Sequence, residues 1–324
     1  MYNLSHSAVF SFISKFASKL ASKPWQLLLL SFIGAYGFNL FIPRDLWVQD
    51  EMRYGEVVRE MLNSGNWLVM HLNGFTYPDK PPLYFWLVAL MGKVVGQGEF
   101  AFRLLTFLST LLAGCGLYHL GNRLLGKQGG FLACLLFGSS LLTLIVGQIA
   151  RMDMLLTATT VWAWLYLLKF DVSKNTKHLV YYWAFCALSV AIKGPIALLF
   201  TLVPGVLWQV QSHSIKGILR LRPWYGLLAM VAMVLAWIFA VIQSGNGDYL
   251  AQIWHQQLVG RTINSWSHKQ PIYFYLVLLP ILTMPWAVPI LSGLKQLWSQ
   301  SEPALCSIWL FAFSAAYRNF FGIR

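Results

Sequence analysis

The chain has 324 residues, of which 57% are hydrophobic and only 11% are charged. Soluble domains carry about 25% charged residues, so this composition excludes an ordinary soluble protein. The apolar residues come in long runs without two-residue alternation, which excludes an outer-membrane barrel. We therefore predict an all-α, polytopic transmembrane protein, because a helix satisfies its own backbone hydrogen bonds in lipid.

The net charge is +13, from 24 basic and 11 acidic residues. In a soluble protein this would suggest nucleic acid as a partner. Here the basic residues fall in short loops between apolar runs, which is typical of the positive-inside rule. The remaining basic residues can meet anionic lipid headgroups or phosphates, and we predict membrane lipids and no nucleic acid as partners. The cysteines lie in apolar runs without CxxC spacing, as buried small hydrophobes do: Cys115, Cys134, Cys186 and Cys306.

Residues 1–24 carry three lysines and precede the apolar run 25–42. A signal peptide has the same polarity, but no small-residue cleavage site follows this run. We predict a cytoplasmic N-terminal segment over 1–24 and a retained first span. The following loop, 44–81, is then extracytoplasmic.

That loop holds six of the eleven acids, namely Asp45, Asp50, Glu51, Glu56, Glu60 and Asp79. Apolar residues near helical spacing over 50–64, with Asp50 as N-cap and a stop at 63–65, predict an amphipathic helix on the membrane surface. An extended piece with Trp67 and His71 follows. Pro81 and Pro82 suit the entry of the next helix.

Further apolar runs cover 83–95, 102–120, 130–147, 154–170, 179–192, 196–210, 224–242, 272–291 and 303–313. They predict about nine or ten membrane segments. The membrane domain would be 25–292, with a second extracytoplasmic loop at 244–271, and 293–324 would hold the last span and the C-terminus. Three runs lie between Lys80 and Asp153, whereas an even number is needed if both face one side. One of the three is therefore re-entrant or a half-span, and the sequence leaves open which.

Two places offer carboxylates for chemistry. Asp50 and Glu51 can bind metal, act as a base or simply be solvated. Asp153 stands at the edge of an apolar run, where a carboxylate is costly unless it is paired or meets a wet cavity. A functional site and a plain Arg151–Asp153 interfacial pair both fit that position.

Other candidates are weaker singly. Lys80 can bind a phosphate, and Asp79 can ligate a divalent cation. His268 becomes interesting if it meets Asp79, since a carboxylate and an imidazole can hold a metal. Lys193 is an orientation signal if its loop is cytoplasmic.

A set of motifs in chain order resembles the aminoarabinose transferase (ArnT-like) branch of the protein-mannosyltransferase superfamily. They are Asp50-Glu51-x-Arg53-Tyr54, Arg59-Glu60-Met61, Ser64-Gly65-x-Trp67, Asn73-Gly74, Lys80-Pro81-Pro82-Leu83-Tyr84-x-Trp86, Gly96, Phe102-Arg103-Leu104, Arg151-x-Asp153, Lys193-Gly194 and His268-x-x-Pro271. The resemblance covers most of residues 25–290.

The resemblance implies a GT-C fold with a periplasmic catalytic loop, in the bacterial inner membrane. It implies inverting transfer of a sugar, for example 4-amino-4-deoxy-L-arabinose, from a polyprenyl-phosphate donor to lipid A or another glycan or protein. The implied catalytic residues are Asp50, Asp153 and Glu51. The implied donor-phosphate and substrate residues are Lys80, Arg53, Tyr54 and Tyr77. The implied ligands for a divalent metal, zinc or another, are Asp79 and His268.

Two departures from the family pattern matter. Asp79 stands where the family has Glu, one methylene longer, which weakens the metal prediction. Family members also continue with more spans and a soluble C-terminal domain, so a short variant, a fragment and a disrupted gene product all stay open. Two alternative functions remain: a lipid or solute transporter, and a non-catalytic lipid-binding relative.

Overall fold

The computed structural model describes residues 29–42, 44–96, 98–213, 215, 217–255, 274, 278 and 280–288. The helices are α1 Leu29–Phe41, α2 Gln49–Ser64, α3 Leu83–Val95, α4 Glu99–Ser139, α5 Leu141–Val146, α6 Asp153–Ser173, α7 Thr176–Lys193, α8 Leu198–His213, α9 Gly217–Arg220, α10 Pro223–Gln243 and α11 Gly247–Ile253. The strands are β1 His71–Leu72 and β2 Phe75–Thr76, paired antiparallel. A π-helical turn, Ile33–Gly37, lies within α1, and a 3-10 turn, Pro195–Ala197, precedes α8. The predicted all-α class is confirmed.

Helix α4 is two antiparallel arms rather than one rod. Its 41 residues would span about 60 Å, twice the hydrocarbon core of a membrane. Gly126, at φ 74° and ψ −175°, reverses the chain in a backbone conformation that favours glycine. The arms then touch backbone to backbone, because a Cβ on Gly130 would lie 2.6 Å from the Tyr118 carbonyl oxygen. Small residues therefore hold the hairpin closed.

Helix α3 is the segment between Lys80 and Asp153 that does not cross. Tyr84, at its start, packs on Phe102, in the first turn of α4, with ring centroids 6.4 Å apart. Arg103 donates to the carbonyl oxygens of Asn39 and Ile42 at the end of α1. Both ends of α3 thus lie level with the end of α1, and the two arms of α4 supply an even pair of crossings.

The later helices run back and forth between two ends of the bundle. Lys193, at the end of α7, pairs with Asp153, at the start of α6. His213, at the end of α8, bonds Asp171 at the other end of α6. Val241, near the end of α10, joins a buried cluster with Val69 of the 44–81 loop. We call the end with 44–81, 147–153 and Lys193 the site face, and the end with 126 and 171–178 the opposite face.

Charge divides sharply between these faces. Of the eleven acids, ten fall in the described ranges, and only Asp171 among them lies on the opposite face. That face carries the basic residues Arg123, Lys127, Lys169, Lys174, Lys177, Arg220 and Arg222, and the other eight described basic residues lie on the site face among the nine acids. By length and composition, α4 and α10 are the described helices that could cross a membrane. The packing and the charge pattern agree with a bundle whose two ends meet different aqueous phases.

Candidate active site

Helix α2 brings the acids of the loop to the bundle. It begins at Gln49 after Val48, so the prediction of Asp50 as N-cap was wrong by two residues. It ends at Gly65, whose φ of 70° gives a left-handed cap, as predicted. The predicted amphipathic character is confirmed, since one face is buried against the bundle: Tyr54, Val57, Val58 and Met61.

Glu51 connects the start of α2 to Arg44, to Val48 and to the backbone at Ala150. Its side chain is fully buried, and each carboxylate oxygen accepts two hydrogen bonds. Arg44 donates to both oxygens at 2.7 and 3.0 Å, the Ala150 N–H donates to Oε1 at 2.6 Å, and the Val48 N–H donates to Oε2 at 3.2 Å. Burial would raise the pKa of Glu51, but these donors outweigh it and hold the pKa below its usual range. With its acceptors occupied, Glu51 holds α2 to Arg44 and to the Ala150 backbone, and the catalytic role implied for it stays a prediction.

The two predicted aspartates converge on one arginine. Arg151 places Nη2 2.8 Å from Asp50 Oδ2 and Nε 3.3 Å from Asp153 Oδ2. Lys193 forms a second, short contact with Asp153 Oδ1. The Arg151–Asp153 pair offered as the alternative to a functional site is present, and Arg151 also pairs with Asp50. We call Asp50, Arg151, Asp153 and Lys193 the charge cluster.

The three carboxylates differ in accessibility. The side chain of Asp50 is 32% exposed, whereas that of Asp153 is 7% exposed and that of Glu51 is fully buried. Asp50 is therefore the carboxylate of the three that a substrate can reach directly. Asp153 and Glu51 are instead engaged with the cations that they hold.

At the charge cluster, two buried oxygen atoms have no hydrogen-bond partner among the residues that the structure describes. One is Asp153 Oδ2, which lies near Arg151 Nε in a geometry too poor for a hydrogen bond. The other is the Tyr84 hydroxyl, fully buried and within electrostatic range of Asp153, Glu51 and Arg151. Buried polar atoms are costly without partners, so a polar group of a substrate or a water molecule at these two oxygens would be stabilising.

A short hairpin and α11 enclose this side of the bundle. Asn73 and Gly74, with φ of 54° and 79°, form the two-residue turn between β1 and β2. The Gly74 N–H donates to both carboxylate oxygens of Glu60 at 3.2 Å, which ties the turn to α2. Thr76 bonds Gln252 of α11. The extended piece predicted around His71 is confirmed.

The predicted donor-binding residues are distributed unevenly around the cluster. Lys80 is half-buried and acts electrostatically on Asp153. Arg53 is exposed on α2, within one turn of Asp50. Tyr54 is buried and packs edge-on against Phe85 at 5.5 Å, and burial together with Asp50 raises its pKa well above 10.

Tyr77 is buried beneath the hairpin rather than presented at its surface. Its backbone N–H donates to the Met70 carbonyl oxygen at 2.8 Å, and its carbonyl oxygen accepts from the Tyr249 hydroxyl at 3.1 Å. Its ring packs edge-on to Phe85 at 6.3 Å. These contacts make Tyr77 part of the support for the hairpin, and its predicted contact with substrate remains a prediction.

The metal prediction is not met by the described residues alone. Among them, no three His, Cys, Asp or Glu side chains come together as a metal site. His268 lies outside the described residues, so its pairing with Asp79 stays a prediction.

Two site residues were not assigned to the site by sequence. Arg44 was not singled out, although its place between the first span and the acidic helix is a signal for an ion pair. Lys193 was interpreted as an orientation signal if cytoplasmic, but it lies on the site face beside Asp153. Two apolar runs, 154–170 and 179–192, separate Asp153 from Lys193, and this even number already placed these two residues on one side.

Comparison with known proteins agrees with this geometry. Residues 79–241, half of the chain, match the family model described as dolichyl-phosphate-mannose-protein mannosyltransferase. A Pseudomonas aeruginosa (strain UCBPP-PA14) protein is 30% identical over 308 residues, covering 88% of this chain and 53% of its own length. A Shewanella sediminis protein is 30% identical over 262 residues, covering 78% of this chain and 47% of its own. Both are named undecaprenyl phosphate-alpha-4-amino-4-deoxy-L-arabinose arabinosyl transferase.

A crystal structure of ArnT from Cupriavidus metallidurans bound to undecaprenyl phosphate has a TM-score of 0.76 to this chain at 22% identity. The likeness covers 90% of this chain and 55% of that one, and it shows the GT-C fold of an integral membrane protein. The chain spans about half the length of the curated relatives that it matches. From the family-model match over half its residues, the chain belongs to the dolichyl-phosphate-mannose-protein mannosyltransferase family.

Proposed function

We propose that this chain forms the catalytic part of an inverting membrane glycosyltransferase that takes its sugar from a polyprenyl-phosphate donor. The observation that carries the proposal is the charge cluster, in which Asp50 and Asp153, 103 positions apart, share Arg151. The names of the relatives support undecaprenyl phosphate as carrier and 4-amino-4-deoxy-L-arabinose as sugar. As acceptor we propose lipid A, or another extracytoplasmic glycan or protein.

The donor explains why cations surround the site. In an inverting transfer the acceptor oxygen attacks the anomeric carbon opposite the phosphate. The bond from that carbon to the phosphate oxygen breaks, and its electron pair stays on the departing polyprenyl phosphate. A fixed cation near this oxygen stabilises the charge that develops. Lys80, half-buried and within electrostatic range of Asp153, is suited to that task, and exposed Arg53 can contact the phosphate from α2.

Asp50 takes the acceptor side of the reaction in this proposal. If the acceptor is a hydroxyl group, an accessible carboxylate can accept its proton during attack. If the acceptor is itself a phosphate, no base is needed, and Asp50 would orient the sugar or stabilise its oxocarbenium-like character. Its pairing with Arg151 fixes its position for either role.

We propose that the site face is extracytoplasmic and that the N-terminus is cytoplasmic, in the bacterial inner membrane. The support is the first span, because three lysines precede the apolar run 25–42 and α1 ends on the site face, where the loop 44–81 follows it. Basic loops remain on the cytoplasmic side of a membrane. The donor and the acceptor then meet at the extracytoplasmic surface of the membrane.

The test reconstitutes the full chain in liposomes with labelled undecaprenyl-phosphate aminoarabinose and lipid A. Wild-type protein should produce labelled lipid A, and Asp50→Asn should reduce the rate by about 10² or more, because the charge that stabilises the reacting sugar is lost. The matched control is Glu56→Gln on the same helix, whose partner is the exposed Arg59 rather than the charge cluster. The control should keep the wild-type rate.

The same experiment decides between this proposal and the two alternatives. Full activity in Asp50→Asn would overturn the assignment of Asp50. Carrier binding without transfer from any polyprenyl-phosphate sugar would favour a non-catalytic lipid-binding relative. Movement of labelled lipid across the bilayer without sugar transfer would favour a transporter.

A divalent metal held by Asp79 and His268 is a separate part of the proposal. Asp79 lies two residues after Tyr77, whose backbone is held by Met70 and Tyr249, and directly before Lys80, which acts electrostatically on Asp153. The chemistry proposed above does not pass through the metal. Metal analysis of purified wild-type and His268→Ala protein tests the idea, since a wild-type protein without bound zinc or another divalent ion would remove it.

A further inference from the structure

A second group of aromatic and cationic side chains lies toward the opposite face, far from the charge cluster. There the first arm of α4 packs beside α6, and the Trp162 indole N–H donates to the Leu112 carbonyl oxygen at 2.9 Å. Helix α7 completes the surface. We call the group the Lys169 patch; its members are Arg123, Trp162, Tyr166, Lys169, Tyr181 and Phe185.

The aromatic rings of the Lys169 patch form one continuous surface across two helices. Tyr166 stacks on Phe185 with centroids 5.7 Å apart and an interplanar angle of 17°. Trp162 stacks on the same ring at 6.1 Å, and Tyr181 lies 4.8 Å from Tyr166. Tyr181 is 50% exposed, so the surface is open to its surroundings. Trp and Tyr in such positions occur where a membrane meets water.

Two cations stand at the end of this surface without an acid. Lys169 places its Nζ 4.7 Å from the centroid of the Tyr166 ring, a cation–π contact that fixes the ammonium. Arg123 on α4 lies close enough to act electrostatically on Lys169. Neither forms an ion pair with a described residue. By contrast, neighbouring Asp171 is occupied by Lys174 and His213.

Two like charges close together near a membrane surface favour an anion between them. Exposed Leu112 and Leu188 continue the patch toward the middle of the bundle, where a hydrocarbon chain would lie. We propose that the Lys169 patch binds an anionic phospholipid. Arg123 and Lys169 hold the phosphodiester, and an acyl chain lies along Trp162 and Phe185. The site is distinct from the donor site, since it occupies the other end of the bundle.

The test is native mass spectrometry of the full chain, released from nanodiscs of equal phosphatidylglycerol and phosphatidylethanolamine. Wild-type protein should retain phosphatidylglycerol preferentially. A juxtamembrane cation contributes about fivefold in affinity for anionic lipid, so Arg123→Gln/Lys169→Gln should lower retention by about 25-fold. Both changes lie at the surface, and a single symmetric size-exclusion peak checks folding.

The matched control removes two charges from the same face but outside the patch, in Lys177→Gln/Arg220→Gln. Both of these residues are exposed. The control should retain phosphatidylglycerol as the wild type does. Equal loss in both double variants would show that net charge alone attracts the lipid and would overturn the proposal. Undiminished retention in Arg123→Gln/Lys169→Gln would overturn it as well.

Discussion

Glu51→Gln tests whether the loop acids are positioned by one buried carboxylate. The change keeps the shape and replaces one oxygen by an NH₂ group. Whichever oxygen is replaced, two donors lose their acceptor: Arg44 together with either Ala150 or Val48. A buried donor without an acceptor costs about 1–3 kcal/mol. Since Arg44 is partly accessible to water, we expect the free energy of unfolding to fall by about 3 kcal/mol in total.

The measurement is unfolding of the purified protein by SDS titration in mixed micelles, for wild type and variant side by side. Glu56→Gln on the same helix is the matched control, because it makes the same chemical change in a carboxylate paired to an exposed arginine. Surface ion pairs contribute little to stability. The control should therefore be much closer to wild type than Glu51→Gln.

A cost below about 1 kcal/mol for Glu51→Gln would refute the reasoning. So would equal costs for the two variants. Either result would mean that α2 is held to residues 147–151 by apolar packing, and that the four hydrogen bonds are incidental.

Three further changes extend the test. Because the pKa of Glu51 is lowered by folding, its contribution to the free energy of unfolding is full above about pH 4.5 and is lost as the pH falls through the pKa of the folded protein. The free energy of unfolding of Glu51→Gln should therefore depend less steeply on pH below about 4.5 than that of wild type. Lys193→Met leaves Asp153 buried with one cation fewer and should cost about 3 kcal/mol, whereas Lys193→Arg should keep most of the stability. Gly226→Ala would place a Cβ 1.9 Å from the Trp183 ring and should cost about 2 kcal/mol, whereas Gly247→Ala, with nothing within 4 Å, should change stability by less than about 0.5 kcal/mol; the same SDS titration measures all of these.

The local elements were predictable because their signals are local. Helical spacing and a glycine stop at Gly65 located α2, and the prolines before Leu83 located the start of α3. Asp50 as N-cap failed because Glu51 reaches back to the Val48 N–H, so the helix begins before the acid pair. A capping contact of this kind depends on which side chain is turned inward.

The crossing count shows what local signals miss. The sequence predicted that one apolar run between Lys80 and Asp153 does not span the membrane, but hydropathy could not identify which run it is. The packing of Tyr84 on Phe102 and the reversal at Gly126 decide the matter. Both are contacts between residues that hydropathy treats separately.

The sequence by itself determined the membrane class, the helical segments and the concentration of acids in one loop, because each depends on composition or on short-range periodicity. It also supplied the family motifs. Only the tertiary structure decided which of the acids are accessible and which are buried in ion pairs. Asp50 remains accessible, Asp153 is paired to Arg151 and Lys193, and the oxygens of Glu51 accept from Arg44, Val48 and Ala150. Burial and pairing depend on chain parts far apart in numbering, and a carboxylate acquires its role from them.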